Sequence, residues 1–125
     1  MADIDLAYYK NLFIETSKKD IEDTRNNLKE LSLNPQNTEL IEALFIQFHT
    51  LKGRSLSVGY SQTGELAHRI ETIFRNAKES GTIVSQDLVD KSLTGLDKLQ
   101  KSIEKIASEG TELDLSDALN SFNKE

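Results

Sequence analysis

The chain has only two imidazoles and no thiol to offer as a nucleophile or as a ligand for a transition metal. Its 125 residues contain two histidines, His49 and His68, and no cysteine, which excludes thiolate catalysis, disulfides and cysteine-based metal sites. A histidine can act as a nucleophile or a general base near neutral pH, because its imidazole is only partly protonated there. The two imidazoles are therefore the first candidates for chemistry.

Apolar residues surround His49 in a way that is unusual for a solvated helix face. On a projection of 100° per residue, His49 falls about 120° from the centre of the apolar arc of its helix, outside the core face. Ile46, Gly53 and Leu56 lie on the same side, one turn before His49 and one and two turns after it. Ile46 and Leu56 thus form an apolar rim on either side of Gly53, which has no side chain. Such a surface favours docking of another protein.

A carboxylate is expected beside this histidine. If the chain reverses at Gly59 and Tyr60, two antiparallel helices bring His49 level with Ile70 and Glu71. A carboxylate that accepts a hydrogen bond from Nδ1 selects the tautomer in which Nε2 carries its lone pair outward. That nitrogen is then a better nucleophile.

Positively charged residues follow both His49 and Glu71 along the sequence. Lys52 stands one turn after His49, where its ammonium can neutralise a phosphoryl group on the imidazole. His68, Glu71 and Arg75 follow one another at i, i+3 and i+7 along one line that is expected to be polar. The set predicts exchange of a phosphoryl group with another protein at His49.

Each of these residues also has a plain structural interpretation. The two histidines can be ordinary surface residues, Glu71 can serve only in an intrahelical ion pair with Arg75, and Lys52 can be a solvated cation. The rim residues Ile46 and Leu56 can pack against the first or the fourth helix. The sequence leaves these alternatives open.

The elements that must position the site are helical. Turn-forming residues break the chain near residues 34–37, 59–60, 81–82 and 110–111, and between the breaks apolar residues recur at spacings of three and four. The pattern predicts helices over about 4–32, 38–57, 61–80 and 84–108 and a short helix over about 114–122. Short connections make sequential helices antiparallel. Residues 1–125 are thus expected to form one all-α domain, an up-down-up-down four-helix bundle with a short C-terminal fifth helix.

Short polar side chains near the predicted helix starts can cap the first turn of each helix. Their oxygens can accept a hydrogen bond from a backbone N–H that has no partner within the helix. The expected caps are Asp3 or Asp5, Thr38, Ser61 and Ser85.

The segment around His49 also resembles a known family. Leu44–Gly53, LFIQFHTLKG, followed by Gly59, resembles the signature of histidine-containing phosphotransfer domains, helical bundles that relay phosphoryl groups in bacterial two-component signalling. The positions of His68 and Glu71 relative to His49 are similar to those of a histidine and a glutamate in the phosphotransfer (P1) domain of CheA-type chemotaxis histidine kinases. The resemblance covers nearly the whole chain.

The resemblance implies a role for each site residue. It implies that His49 is the phosphoacceptor, that Glu71 hydrogen-bonds its other ring nitrogen, and that Lys52 and His68 surround the phosphoryl group. It further implies that the catalytic domain of a histidine kinase phosphorylates His49 and that an aspartate of a response-regulator receiver domain takes the group away. ATP and Mg²⁺ then belong to those partner domains, and this domain binds no cofactor and no metal.

Two positions depart from the family pattern. The family often has Arg or Lys where this chain has Ile46, and a small residue where it has Arg54. Ile46 makes the docking rim more apolar, and Arg54 points away from His49 by helical angle. Both departures bear on partner specificity.

Composition excludes several other classes of function. The net charge of −6, with lysines interleaved among acids, argues against nucleic-acid binding. No basic leader and no run of 18 apolar residues is present, so a cytoplasmic protein without membrane insertion is expected. No glycine-rich phosphate loop occurs and the bundle uses the whole chain, which favours a monomeric phosphoryl carrier over a kinase.

Two different classes of function compete with phosphotransfer. A di-iron bundle needs two Glu-x-x-His motifs and further inward glutamates, whereas in this chain only one histidine, His68, has a glutamate three residues away, as in the reverse-order pair with Glu71. The remaining alternative is a catalytically silent helical interaction or adaptor bundle. The CheA-like pattern favours an N-terminal domain of a larger kinase over a complete protein.

Overall fold

A computed structural model describes the backbone of residues 2–122 and the side chains of residues 6–122. The side chains of Asp3 and Asp5, expected to cap the first helix, therefore lie outside the described residues. The elements are α1 (Ala2–Leu33), α2 (Thr38–Ser57), α3 (Ser61–Ser80), α4 (Gln86–Glu109) and α5 (Ser116–Ser121). Four long antiparallel helices with a short one after them confirm the predicted all-α, up-down-up-down bundle.

The four long helices pack in a ring around one core. The contact between α2 and α3 is the most extensive, α1 packs on α2 and α4, and α3 also packs on α4 and α5. At the centre the rings of Phe48 and Phe74 stack with their centroids 5.8 Å apart. The other large side chains that are fully buried are Leu28, Leu31, Leu44, Leu66, Ile70, Leu96, Leu99, Ile103, Ile106 and Leu115.

Among residues 2–122, no helix combines the length and the apolar composition that crossing a membrane requires.

The buried face of α1 is shorter than its apolar pattern suggests. Leu6, Tyr9 and Leu12 continue the pattern towards the N-terminus, yet all three are exposed, and the buried face begins at Phe13. They line one wall of an open groove of about 680 Å³, whose other wall is the end of α2 and the turn after it. A turn covers less of a neighbouring helix than another helix does, which leaves these side chains accessible.

The caps of α2 and α4 show how local sequence sets a helix start. The prediction for α4 is confirmed, because Ser85 Oγ accepts a hydrogen bond from Leu88 N at 3.2 Å. The prediction of Thr38 for α2 is wrong by one position, since the cap is Asn37, whose Oδ1 accepts from Leu40 N at 3.1 Å. Thr38 is already the first helical residue, so its side chain is past the capping position.

The cap of α3 comes from a distant part of the chain, so the prediction of Ser61 is wrong. Glu112, in the loop between α4 and α5, accepts hydrogen bonds from Gln62 N at 3.3 Å and from Thr63 N at 2.8 Å. The Thr63 hydroxyl donates to the same carboxylate at 2.7 Å and lies 2.9 Å from the buried Ser102 hydroxyl. A carboxylate also complements the positive end of the helix dipole. We call Gln62, Thr63, Ser102 and Glu112 the α3 clasp.

The turn between α2 and α3 sets the register of these two helices. Gly59 has a φ of +90°, a left-handed conformation that favours glycine. Further on, a Cβ at Gly64 would lie 2.5 Å from Leu56 Cδ2, so the start of α3 approaches the end of α2 more closely than a larger residue would allow. This tight hairpin places His49 opposite Glu71.

The α3 clasp predicts a stability effect at a residue remote from the helix it caps. Glu112→Ala should lower the free energy of unfolding by about 1–2 kcal/mol, because two backbone N–H groups and a buried hydroxyl lose their acceptor. Urea denaturation followed by circular dichroism measures the change.

The matched control for this test is Glu109→Ala. Glu109 is three residues away and holds only an exposed i, i+4 ion pair with Lys105. This change should alter the free energy of unfolding by less than about 0.5 kcal/mol. Equal losses in the two variants would show that the clasp does not stabilise α3.

Candidate functional site

The contact between α2 and α3 brings an exposed imidazole against a buried carboxylate. The His49 side chain is 56% exposed and the Glu71 side chain is 0% exposed. His49 Nδ1 lies 3.1 Å from Glu71 Oε2, within hydrogen-bonding distance. The imidazole is thus anchored on its inner side, and more than half of its surface faces solvent.

Glu71 is surrounded by positively charged and titratable groups from both helices. Arg75 Nη2 lies 2.5 Å from Oε2, the oxygen that also faces His49. Lys52 Nζ and His68 Nδ1 lie 3.3 Å and 3.6 Å from the other oxygen, Oε1. These are ion-pair distances, and within the described residues no well-aligned hydrogen bond reaches Oε1 or His68 Nδ1. The two oxygens of this carboxylate therefore have different surroundings.

The polar line expected along α3 is interrupted at its middle member. His68 and Arg75 are partly exposed, as the pattern suggests, but Glu71 is completely buried. The reason is the close packing of α2 across this part of α3. Glu71 forms the intrahelical pair with Arg75 and also the contact with His49, so these two interpretations of the carboxylate coexist.

Opposing effects determine the protonation state of Glu71. Burial disfavours the charged carboxylate and by itself raises the pKa of Glu71. The hydrogen bond with His49 and the charges of Lys52 and Arg75 outweigh burial and leave the pKa of Glu71 below its usual value. An ionised carboxylate can only accept hydrogen bonds, so His49 Nδ1 is the donor. The lone pair of the neutral ring then lies on Nε2.

An aromatic ring and a second basic side chain lie beside the imidazole. The centroid of the Phe45 ring is 6.0 Å from that of His49. Arg75 Cζ lies 5.8 Å and Lys78 Nζ 4.9 Å from the Phe45 ring centroid, within the range of cation–π contacts. The sequence assigned no site role to Phe45, and it placed Arg75 only on the polar line of α3 and as an ion-pair partner of Glu71. Their spacings, i−4 from His49 and i+4 from Glu71, are the signal that identifies them.

The residues expected to form a docking rim lie at the surface of α2. About half of Ile46 and of Leu56 is exposed, so neither is buried in the bundle. A Cβ built on Gly53 would meet no atom within 4 Å, which leaves open space one turn after His49. Arg54 points away from this surface and forms an ion pair with Asp20 of α1.

The charges of the site favour an anionic group. With both imidazoles neutral, Lys52 and Arg75 contribute one more positive charge than Glu71 neutralises. Within residues 6–122, no three His, Asp or Glu side chains are grouped so that they could hold a metal ion. A phosphoryl group next to the imidazole would therefore lie in a locally positive environment.

Residues 9–109 match the family model described as the Hpt domain, and this match covers most of the chain. The chain belongs to the Hpt domain family. Among curated proteins, the chemotaxis protein CheA of Bacillus subtilis is 28% identical over 107 residues, 86% of this chain and 16% of that protein. The chain thus spans a small part of the length of the curated relatives it matches.

Solved structures show the same fold. The structure of the histidine phosphotransfer domain of CheA has a TM-score of 0.85 and 32% identity, and the match covers 94% of this chain and 87% of that one. The phosphorylated P1 domain of CheA3 in complex with CheY6, from R. sphaeroides, also has a TM-score of 0.85, at 21% identity, over 94% of this chain and 93% of that one. This Hpt domain is similar to the P1 phosphotransfer domains of CheA proteins.

The lowered pKa of Glu71 predicts how stability changes with pH. A carboxylate whose folded pKa lies below its unfolded value stabilises the fold above the unfolded pKa, and this contribution disappears as the pH falls through the folded pKa. Glu71→Gln should cost about 1–3 kcal/mol at neutral pH, because the cations around the carboxylate lose their partner. The difference from the parent chain should shrink below about pH 4.

Urea denaturation of both chains from pH 7 to the acid limit of the folded state measures this difference. Asp114→Asn is the matched control, since Asp114 also has a pKa below its usual value, from hydrogen bonds with Ser116, but lies outside the site. A Glu71→Gln difference that stays constant across the acid range would contradict a lowered pKa of Glu71.

Proposed function

We propose that this Hpt domain carries a phosphoryl group on His49 Nε2, receives it from a histidine kinase catalytic domain and gives it to a receiver domain. The observation that carries the proposal is the hydrogen bond between Nδ1 of an exposed imidazole and the buried, ionised Glu71. It leaves the nucleophilic lone pair on the ring nitrogen opposite to the one that contacts the protein.

The chemistry of the step follows from this tautomer. The Nε2 lone pair attacks phosphorus, the bond to the leaving group of the donor breaks with its electron pair, and the Nε2–P bond forms. Because Nδ1 keeps its proton, the ring becomes positively charged as the bond forms. Glu71 stabilises that charge through the hydrogen bond it already makes. Transfer to an aspartate of a receiver domain reverses the sequence and restores the neutral ring.

Lys52 and His68 are proposed to support the phosphoryl group from the same side of the bundle. Lys52 lies one turn after His49 and its Nζ is 3.3 Å from Glu71 Oε1, so its ammonium is held beside the imidazole. There it can neutralise phosphoryl oxygens. His68 is partly exposed and its Nδ1 is 3.6 Å from the same oxygen, which suits a supporting role and not that of the acceptor.

The partners in this proposal follow from the relatives. Curated relatives are named chemotaxis protein CheA, and a P1 domain of the same fold has been solved in complex with CheY6. ATP and Mg²⁺ belong to the partner domains in this proposal, which makes the chain a phosphoryl carrier and part of a CheA-type kinase. The apolar rim of Ile46, Gly53 and Leu56 would contact these partners. The cytoplasmic location and the monomeric state expected from the sequence remain predictions.

His49→Gln should abolish phosphoryl uptake. Incubation with a CheA-type kinase core and labelled ATP should label the parent chain and not the variant, because glutamine has no nucleophilic nitrogen at this position. The label should be lost in acid and retained in base, as expected for phosphohistidine and not for phosphoserine. Circular dichroism verifies that the helices remain.

His68→Gln is the matched control, because it removes the only other imidazole. This variant should still be labelled, at most several-fold more slowly. Labelling of His49→Gln at the parent rate would overturn the acceptor assignment. An unlabelled parent chain would favour the silent adaptor bundle instead.

Gly53 tests whether the surface beside His49 admits a large partner. Gly53→Gln places a side chain in open space, so the fold should keep or gain stability, by up to about 1 kcal/mol from helix propensity. Transfer from the kinase core should fall roughly tenfold or more, because the added side chain separates the docking surfaces. Phosphorylation by phosphoramidate, a small donor that needs no docking, should be unchanged.

Gly53→Ala serves as the graded control and should affect transfer from the kinase much less than Gly53→Gln. An equal loss with the kinase and with phosphoramidate would mean that the substitution disturbs the imidazole itself. Unchanged transfer from the kinase would remove Gly53 from the docking surface.

A further inference from the structure

Arg75 has no role in the mechanism above, although it makes the shortest contact of the site. Its Nη2 lies 2.5 Å from Glu71 Oε2, the same oxygen that lies 3.1 Å from His49 Nδ1. The guanidinium and the imidazole therefore share one acceptor atom. A carboxylate oxygen has two lone pairs, so it can accept both hydrogen bonds at once.

We propose that Arg75 is a positioning residue for phosphoryl transfer at His49: its guanidinium fixes the Glu71 carboxylate so that Oε2 faces Nδ1 of the imidazole. Arg75 acts through Glu71 and is not a catalytic residue. The inference rests on the proposed function of His49, because orientation of the imidazole matters only if the ring reacts.

The carboxylate needs such a restraint because its two oxygens are chemically equivalent. The terminal torsion of a glutamate is broad, so hydrogen bonds must decide which oxygen faces the imidazole. Lys52 and His68 contact Oε1 at 3.3 Å and 3.6 Å, as ion pairs without a well-aligned hydrogen bond. The bond from Arg75 to Oε2 is short and directed. Among these groups, Arg75 is the one suited to hold the rotation of the carboxylate.

Arg75 is itself held in place on two sides. Glu71 lies one helical turn earlier on α3, and the Arg75 Cζ lies 5.8 Å from the Phe45 ring centroid on α2. A guanidinium can stack on a ring and donate a directed hydrogen bond at the same time, which an ammonium on a flexible stem does poorly. The Arg75 side chain remains 36% exposed, so its charge keeps contact with water while it orders the buried carboxylate.

The charges around Glu71 predict an electrostatic consequence as well. The carboxylate faces His49 and Lys52 from α2, and His68 and Arg75 from its own helix. Against the effect of burial, the contacts with His49 and Lys52 lower the pKa of Glu71 most, and the charge of Arg75 lowers it further. Its removal should raise the pKa of Glu71, so on acidification the carboxylate takes up its proton at a higher pH than in the parent chain.

The test compares Arg75→Gln with the parent chain by NMR at pH 8. The ¹⁵N shifts of the His49 ring report which nitrogen carries the proton. The parent should hold it on Nδ1, and Arg75→Gln should give a mixture of both tautomers. The ¹³C shift of the Glu71 carboxyl, followed during acid titration, should show the raised pKa. A role confined to packing would move neither signal.

Phosphorylation by phosphoramidate provides the functional readout. In this step the P–N bond of the donor breaks, ammonia leaves, and the Nε2–P bond forms. The initial rate should fall about three- to tenfold in Arg75→Gln, in keeping with a smaller share of the reactive tautomer. Arg75→Lys keeps the positive charge but lacks the planar guanidinium. The pKa of Glu71 in this variant should therefore be closer to the parent value than the His49 tautomer ratio is to the parent ratio.

Lys78→Gln is the matched control. Lys78 is the other cation over the Phe45 ring, at 4.9 Å, and its ion pair is with Glu42 and not with Glu71. This variant should keep the parent tautomer and rate. A parent tautomer ratio in Arg75→Gln, or an equal change in Lys78→Gln, would overturn the proposal for Arg75.

These outcomes separate the two proposals. If the parent chain is phosphorylated on His49 and Arg75→Gln keeps both the parent rate and the parent tautomer, the carrier function stands and the role of Arg75 fails. If neither the kinase nor phosphoramidate labels the parent, the carrier function fails, and with it the role of Arg75 in transfer. If Arg75→Gln does not fold, the test uses Arg75→Lys instead. The proposal then requires that the His49 tautomer ratio of the folded Arg75→Lys variant differ from that of the parent chain.

Discussion

The Glu71 carboxylate lies inside the contact between α2 and α3, where a charge is stable only if cations and hydrogen bonds reach it. Lys52, Arg75 and His49 meet that requirement, and each is held in place by doing so. The most extensive helix contact of the bundle thus also holds His49 and Glu71, the residues proposed to carry the chemistry. The electrostatics that orient the imidazole therefore depend on one side chain buried between the two helices.

The site has an inner and an outer half with different physical requirements. The inner half is buried and ionic, because proton placement on His49 needs a fixed acceptor at Nδ1. The outer half is exposed and apolar around Ile46, Gly53 and Leu56, and the proposed function requires such a surface for a partner to come close to Nε2. A helix pair separates the two halves naturally, since one ring nitrogen faces the neighbouring helix and the other faces solvent.

Periodicity was sufficient to predict the bundle, because its helices bury regular apolar stripes and are joined by short turns. Simple register counting across Gly59 also indicated that His49 and Glu71 are level. Sequence spacing could not show that Glu71 is fully buried, since burial depends on how closely α2 crosses α3. Nor could it show that Glu112 caps α3, because a cap from a distant loop leaves no local pattern. The features that could not be predicted are contacts that form only after the helices have packed.

The α3 clasp also bears on where this domain can be cut. The family match ends at residue 109, but Glu112 lies beyond it and caps the helix that carries Glu71. A fragment trimmed to the matched region would lose the acceptor for the first N–H groups of α3 and leave the Thr63 hydroxyl without its carboxylate. The smallest fragment that keeps the α3 clasp therefore extends past the end of the family match, into the loop before α5.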